Sequence, residues 1–390
     1  MIGAGFLAIR HALANWGRSV VLIAALALVL ALPLASRSVV ASFEQSLRVR
    51  ASTVPTVIGA KGSRFDLVFA ALHFRRASIG TIPLERYELL RRADDAEAIP
   101  LHVRFAARDE PIVATSIEYL EFRGLEIDQG RGFARLGEAV VGAEAARRLG
   151  VGPGDELASD QIRSYDITAP PSLLMDVVGV LARSGTPDDD AVFVDLETAW
   201  VLEGIAHGHA DPESVTDDQK LIGRTEEHVA LSGALVEHQM ITPENIRSFH
   251  VHGDRSDLPL TTILVFPESA KAGTILRTRV DASDAAQAIV PERVIEELVA
   301  FVVRLRTLID AIAAVLGVAT VALVGLIGFL SYRVRAGEIA TLLEIGSSRA
   351  RVAAIFGLEL LALLLIAALI ALAISVSAAG LADTLLDRFA

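Results

Sequence analysis

The chain has 390 residues, with 36 Lys+Arg against 48 Asp+Glu and a net charge of −12, a balance that makes nucleic acid an unfavourable partner. Hydrophobic residues make up 52% while charged residues stay at 22%, so apolar and polar material must be segregated along the chain, which excludes a purely soluble protein. The absence of cysteine rules out disulfides, thiolate zinc sites, iron–sulfur clusters and a cysteine nucleophile, and the three lysines, Lys61, Lys220 and Lys271, leave few positions for a catalytic amine.

Residues 1–18 form a cytoplasmic N-terminal lead. They are followed by an uncharged run, 19–36, close to the ~20 residues that a helix needs to cross a bilayer. Arg10 and Arg18 ahead of the run, and Ala35 and Ser36 at its end, also fit a cleaved secretory signal. The long lead and the helical register that continues over 38–52 favour a retained anchor. Val39, Val40, Phe43, Leu47 and Val49 recur near helical spacing and extend this first span outward.

Residues 37–310 hold 29 of the basic and 43 of the acidic residues and read as one acidic extracytoplasmic unit, large enough to fold without disulfides. Leu84–Leu90 reads as helix, Ile99–Phe105 and Ile112–Thr115 as strands, and Ala139–Val141 as a short strand leading into a helix, Ala143–Leu149. Gly150-Val-Gly-Pro-Gly-Asp155 is a turn cluster. Leu173–Val180 and Val192–Val194 read as strands separated by a turn, Ser184–Asp190. The acidic run Asp188–Asp190 and the pair Asp217–Asp218 read as solvated turns. Ala206–Thr225 is polar and aperiodic and reads as a surface loop, and Val265–Val280 reads as strand-like. Pro291, tolerated in a first helical turn, opens a helix whose Val294, Leu298, Phe301, Leu305 and Leu308 step into the second span, 311–332. Gly317, Gly325 and Gly328 offer small surfaces for close helix contact there. A loop or helix at 333–359, a third span at 360–382 and a tail at 383–390 follow. Arg333, Arg335, Arg349 and Arg351 cluster in the short connection and assign it to the cytoplasm, which puts the N-terminus inside and both 37–310 and the C-terminus outside.

Phe133, Glu138-Ala-Val-Val-Gly142, Ala145-Ala-Arg-Arg-Leu-Gly150 with the turn to Asp155, Val177-Val-Gly-Val180 and Asp188–Val194 together resemble the periplasmic core domain of MacB-type ABC transporter permeases. Arg335-Ala-Gly-Glu338-Ile339, Ile345-Gly346-Ser347-Ser348-Arg349 and Glu359 resemble the FtsX-like permease pattern. The resemblance implies a membrane protein of three transmembrane helices, with a large α+β extracytoplasmic domain mounted on helical extensions of spans 1 and 2. One departure stands out: the family usually carries a fourth span, and this chain reads with three, as a shortened or truncated permease would. It further implies a homodimer in the bacterial cytoplasmic (inner) membrane, mechanotransmission from a separate ABC ATPase subunit that holds the ATP, and a periplasmic adaptor or binding protein as a further partner.

A phosphate-cradling loop needs Gly-x-x-x-x-Gly-Lys-Ser/Thr, and none of the three lysines stands in that setting. ATP hydrolysis must then come from another subunit. The ATPase-coupling candidates are Arg335, Glu338, Ile339, Gly346, Ser347, Arg349, Arg351 and Glu359. Gly346-Ser347-Ser348 can end one short helix and cap the next, and the arginines can pair with partner carboxylates or anchor to lipid headgroups. Glu359 opens an otherwise uncharged span, where a carboxylate is costly, so it pairs with a loop arginine or snorkels to the interface. Six of the nine histidines fall within 207–252. His207, His209, His250 and His252, with Glu203 or Asp211, are the candidate zinc ligands, against the plain reading of a surface loop. No His-Glu-x-x-His, Gly-x-Ser-x-Gly or Gly-x-Gly-x-x-Gly constellation is present, so no enzyme activity is expected.

Two functions from different classes fit. The first is a permease that carries ATP-driven motion to its outer domain and handles an envelope-side substrate by export or extraction, with a zinc-linked permease as a variant. The second is a non-transporting membrane sensor or regulator of an envelope ligand or enzyme, which the absence of a sizeable cytoplasmic output segment disfavours.

Overall fold

The computed structural model of the chain describes residues 6, 10, 13–76, 79–93, 95–160, 172–208, 221–224, 229–231, 238–251, 253–334, 336–344, 346 and 348–389. They divide into two units: residues 1–47 with 296–389, and residues 48–295.

Helix α1 (Trp16–Ser52) opens the fold and contains Pro33. The 48–295 unit then runs β1 (Thr56–Ala60), α2 (Arg64–His73), β2 (Ile82–Pro83), α3 (Leu84–Arg92), β3 (Ala96–Ala107), β4 (Glu110–Thr115), α4 (Glu118–Phe122), β5 (Ile127–Gly130), β6 (Glu138–Val141), α5 (Ala143–Leu149) and β7 (Glu156–Ala158). It continues with β8 (Ser172–Leu181), β9 (Val192–Asp195), α6 (Leu196–Leu202), β10 (Ala206–Gly208), β11 (Leu221–Arg224), β12 (Val229–Leu231), β13 (His238–Met240), β14 (Phe249–Val251), β15 (Pro259–Leu260), β16 (Thr262–Pro267), α7 (Ala270–Asp281) and β17 (Ala286–Ile289).

Most strands join one mixed sheet in the order β13-β8-β6-β9-β4-β3-β16-β1-β17, with β5 and β7 also on β8. β1 lies antiparallel between β16 and β17, and β3 is antiparallel to β16 and β4. The parallel pairs are β4 with β9, β6 with β8 and β8 with β13. Central strands β6 and β9 read Glu-Ala-Val-Val and Val-Phe-Val-Asp and are buried almost throughout, as strands covered on both faces must be. The core gathers Ile58, Ile112, Val141, Leu173, Val194 and the fully buried Trp200, whose indole N–H donates to the Pro259 carbonyl at 3.0 Å.

Local chemistry explains the helix starts. Ser63 caps α2 by accepting from the Asp66 N–H, and Asp195 caps α6 by accepting from the Thr198 N–H. Helix α3 follows Pro83 and carries Glu85 in its first turn and Arg91 and Arg92 in its last, the polarity its dipole favours. The strand-like reading of Val265–Val280 is corrected: β16 ends at Pro267, and Ser269 caps α7 by accepting from the Ala272 N–H. The loop reading of Ala206–Thr225 is corrected as well, since β10 and β11 lie inside it; residues 209–220, with the Asp217–Asp218 pair, lie outside the described residues.

The other unit is helical. Beside the first part of α1 it holds most of α8 (Pro291–Val334), then α9 (Ala336–Glu344) and α10 (Arg349–Phe389). The helices α1, α8 and α10 are long and apolar enough to cross a membrane. Val29 of α1 lies 3.8 Å from where a side chain on Gly317 of α8 would begin, and Leu26 and Ala27 pack with Ala367 of α10. Gly325 and Gly328 face no neighbour within 4 Å. Large apolar side chains such as Val318, Val321, Leu326 and Phe329 are exposed along α8, which suits hydrocarbon and not water.

Candidate functional site

The last turn of α1 supplies Arg50, which is 5% exposed, and its carboxylate partner Asp188 is fully buried. The Arg50 guanidinium donates to Asp188 Oδ2 at 2.6 Å, to the Leu72 carbonyl at 3.1 Å and to the Tyr119 hydroxyl at 3.4 Å, and it lies over the Phe74 ring. Tyr119 donates to Asp188 Oδ1 at 2.5 Å, Thr186 donates to Asp188 Oδ2 at 2.6 Å, and Arg123 reaches Asp188 at 3.8 Å while donating to Thr53 at 2.8 Å. Both Asp188 oxygens and the Arg50 guanidinium are partnered, the condition under which a buried ion pair is tolerated. Burial and the neighbouring carboxylate push the Tyr119 phenol well above its ordinary value. Burial, helped by the Arg50 charge, lowers the neighbouring His73 to about 4 and keeps it neutral at physiological pH.

The solvated reading of Asp188–Asp190 is therefore corrected. Asp188 and Asp189 of the Pro187–Asp190 turn are buried because their carboxylates are consumed internally. Asp189 accepts from the Ser184 and Gly185 N–H groups at 2.8 and 2.7 Å, and Asp190 pairs with Arg148 at 2.6 Å. The turn can sit this deep because Gly142 has no side chain. A Cβ there would lie only 2.3 Å from the Asp188 carbonyl oxygen. Sequence reasoning missed Arg50, Tyr119 and the role of Asp188; the available signal was a pair of arginines, Arg48 and Arg50, placed just beyond an apolar run.

Glu138, one of the residues carrying the resemblance, is buried and held by Arg131 through contacts of 2.5 and 2.7 Å and by the Ala134 and Arg135 N–H groups. The Arg131 hydrogen bonds hold its carboxyl below the ordinary value.

Within the helical unit, Glu359 pairs with Arg18 of α1 at 2.6 Å and not with a loop arginine, because it lies more than two turns inside α10, where α1 packs against it. Arg37 of α1 pairs with Asp310 of α8 at 3.3 Å, and Ser38 meets Ser375 of α10 at 3.2 Å. The order of these contacts makes α1 parallel to α10 and antiparallel to α8. Arg18 and Arg37 are separated by about 28 Å of helix at 1.5 Å per residue, close to the thickness of a hydrocarbon core.

Gly346 has φ +93°, which ends α9 sharply, and Ser348 precedes α10 and accepts from the Arg351 N–H at 3.4 Å. Arg349 and Arg351 are exposed, whereas Ile339 is buried and faces inward. Arg335 and Ser347 lie outside the described residues. Glu338 lies on α9.

His207 and His250 face each other across the β10–β14 pair, with ring centroids 5.4 Å apart. His209 and His252 fall outside the described residues. Among the described residues no three His, Asp or Glu converge on a metal position, and two imidazoles do not complete a tetrahedral set.

The profile of the MacB-like periplasmic core domain matches residues 20–230. The chain belongs to this family, whose members are permease components of ABC transporters. Among solved structures, the periplasmic region of MacB from Actinobacillus actinomycetemcomitans is similar at 8% identity and a TM-score of 0.34, covering 63% of this chain and 94% of that one. The extracellular domain of the noncanonic ABC-type transporter YknZ from Gram-positive bacteria is similar at 12% identity and a TM-score of 0.32, covering 60% and 99%. No curated protein matches.

Proposed function

We propose that the chain is the membrane subunit of an ABC system in which a separate ATPase drives motion through the helices to the 48–295 unit, which acts on an envelope-side substrate. One observation carries this reading. The helix that bears the first apolar run ends inside the 48–295 unit, where its last turn places Arg50 against the buried Asp188, Tyr119 and Leu72 of the same unit. Displacing that helix turn would force an unpaired charge into a dry interior, so the core must follow it.

In this reading the N-terminus and residues 333–359 face the cytoplasm, and residues 37–310 lie outside the cytoplasmic membrane, in the orientation the loop arginines favour. Two copies of the chain bind two ATPase subunits, which hold the nucleotide. Helix α9 and the Gly346 turn form the docking element. The exposed Arg349 and Arg351 supply its charge, Arg335, Glu338 and Ser347 are its further candidate contacts, the buried Ile339 seats it, and Glu359 ties α10 to α1.

Coexpression with a candidate ABC ATPase tests this. Gly346→Val strains the positive-φ turn, and Glu338→Arg reverses a docking charge. Both variants are expected to insert normally, yet to lose co-purification with the ATPase or permease-stimulated turnover. Normal assembly and stimulation in both would leave the loop as a membrane anchor and remove the docking reading.

A further inference from the structure

The face of the sheet that carries α3 and α7 holds a cavity of about 300 Å³ between these two helices, a size at the lower end of small-molecule sites. Ile58 of β1 and Ala96 of β3 line its floor, and Leu90 and Leu276 its walls. At the mouth stand Leu89 and Ile275, which are 57% and 49% exposed, an apolar lip on a domain otherwise rich in surface carboxylates.

The polar groups of this cavity are few and biased. Arg86 and Arg279 border it, against one carboxylate, Asp95. The Arg86 side chain donates to Ser283 Oγ at 3.3 Å through Nη2, while its Nε is buried without an acceptor. A buried donor left unpaired is costly, and it marks where an acceptor from a ligand would sit. Arg279 is exposed on the last turns of α7 and forms no ion pair among the described residues. Two guanidiniums against one carboxylate leave a single positive charge beside an apolar hole.

We infer that this cleft binds a single-chain amphiphile with one anionic head group, its tail between α3 and α7 and its carboxylate at Arg86 and Arg279. At the roughly 30 Å³ that a water-sized group occupies in a liquid, the cavity takes a tail of about ten heavy atoms. A second acyl chain has no room, and the one surplus positive charge matches a monoanion. The inference is independent of the transport reading, because binding requires no ATPase.

The test is equilibrium dialysis of radiolabelled decanoate against the full chain in lipid nanodiscs, with uptake by empty discs subtracted. Saturable binding of one decanoate per chain is expected. Each methylene removed from the tail should weaken binding roughly three- to fourfold, so hexanoate should bind far more weakly. Decyltrimethylammonium, with the same tail and the opposite charge, should compete at least tenfold less well, and the two-chain dihexanoylphosphatidylglycerol should not displace decanoate. Arg279→Glu, at an exposed position without an ion pair, should lower decanoate affinity roughly tenfold while leaving decanol binding unchanged, and circular dichroism checks that it folds. Absence of saturable uptake above empty discs, equal competition by the cationic amphiphile, or an Arg279→Glu protein that binds decanoate normally would each overturn the assignment. Displacement by the two-chain lipid would overturn the single-chain limit and point to a membrane lipid instead.

Discussion

Removing the Asp188 carboxylate is the most direct test of the arginine anchor. Asp188→Ala deletes the acceptor for the Arg50, Tyr119 and Thr186 donors at 2.6, 2.5 and 2.6 Å, and it leaves a guanidinium that is only 5% exposed without a counter-charge. Breaking a buried pair by removing one partner costs about 3–5 kcal/mol. At roughly 2–4 °C per kcal/mol for a domain of this size, the unfolding midpoint should fall by about 6–20 °C. Intrinsic fluorescence offers a local readout, because Trp200 is buried in this unit while Trp16, the other tryptophan, is 70% exposed. The full chain in nanodiscs is heated and the Trp200 transition followed. The double change Arg50→Met with Asp188→Leu removes both charges and should recover much of the loss, since apolar replacement of a whole buried pair is often neutral. A midpoint within about 2 °C of wild type for Asp188→Ala, or a double variant no better than the single ones, would refute the anchor's energetic role.

Exchanging the partners Arg18 and Glu359 gives a second test. Glu359→Arg or Arg18→Glu alone should lower the yield of folded protein on size-exclusion chromatography, and the two together should restore it. His73 provides a pH signature: its folded value, near 4 against 6.5 unfolded, means that the unfolded chain binds the proton first. Its contribution of about 3 kcal/mol is present above pH 6.5 and lost as pH falls toward 4. Asp195, raised to about 6 by burial, works oppositely, losing stability as pH rises from 3.8 to 6. The stability difference between wild type and His73→Leu should therefore vary with pH across 4–6.5 even where the wild-type curve is flat. Gly142→Ala should destabilise by about 1–3 kcal/mol by crowding the Asp188 carbonyl, read as a lower denaturant midpoint with an unchanged slope.

The three long apolar helices were legible because uncharged runs of membrane length have few other uses, and β3, β4, β6, β8 and β9 because their apolar residues stand between clear turn signals. The short helix before Gly346 was legible from the glycine and the serines that follow it. Helix α7 was not: its threonines and valine mimic a strand, and the serine cap outweighs them. The anchor stayed hidden for a different reason. Arg50 and Asp188 are 138 residues apart, and Arg18 and Glu359 are 341 apart. Charge placed in a helix end or an acidic turn announces that a partner is needed, but no local pattern says which one. The cleft between α3 and α7 was equally silent, since it arises from the spacing of two helices, one of which reads as strand in the sequence.

The ties between α1 and α10 limit how those helices can travel. They are fastened at two levels, by Arg18 to Glu359 near one end of the apolar segment and by Ser38 to Ser375 near the other. A piston stroke of one helix past the other by a single turn, about 5.4 Å, would pull the arginine off the carboxylate where there is little water to receive either. Both fastenings survive if the two rods swing together. If the proposed docking at the start of α10 delivers a push, the two fastenings make α1 tilt with α10 and not slide past it.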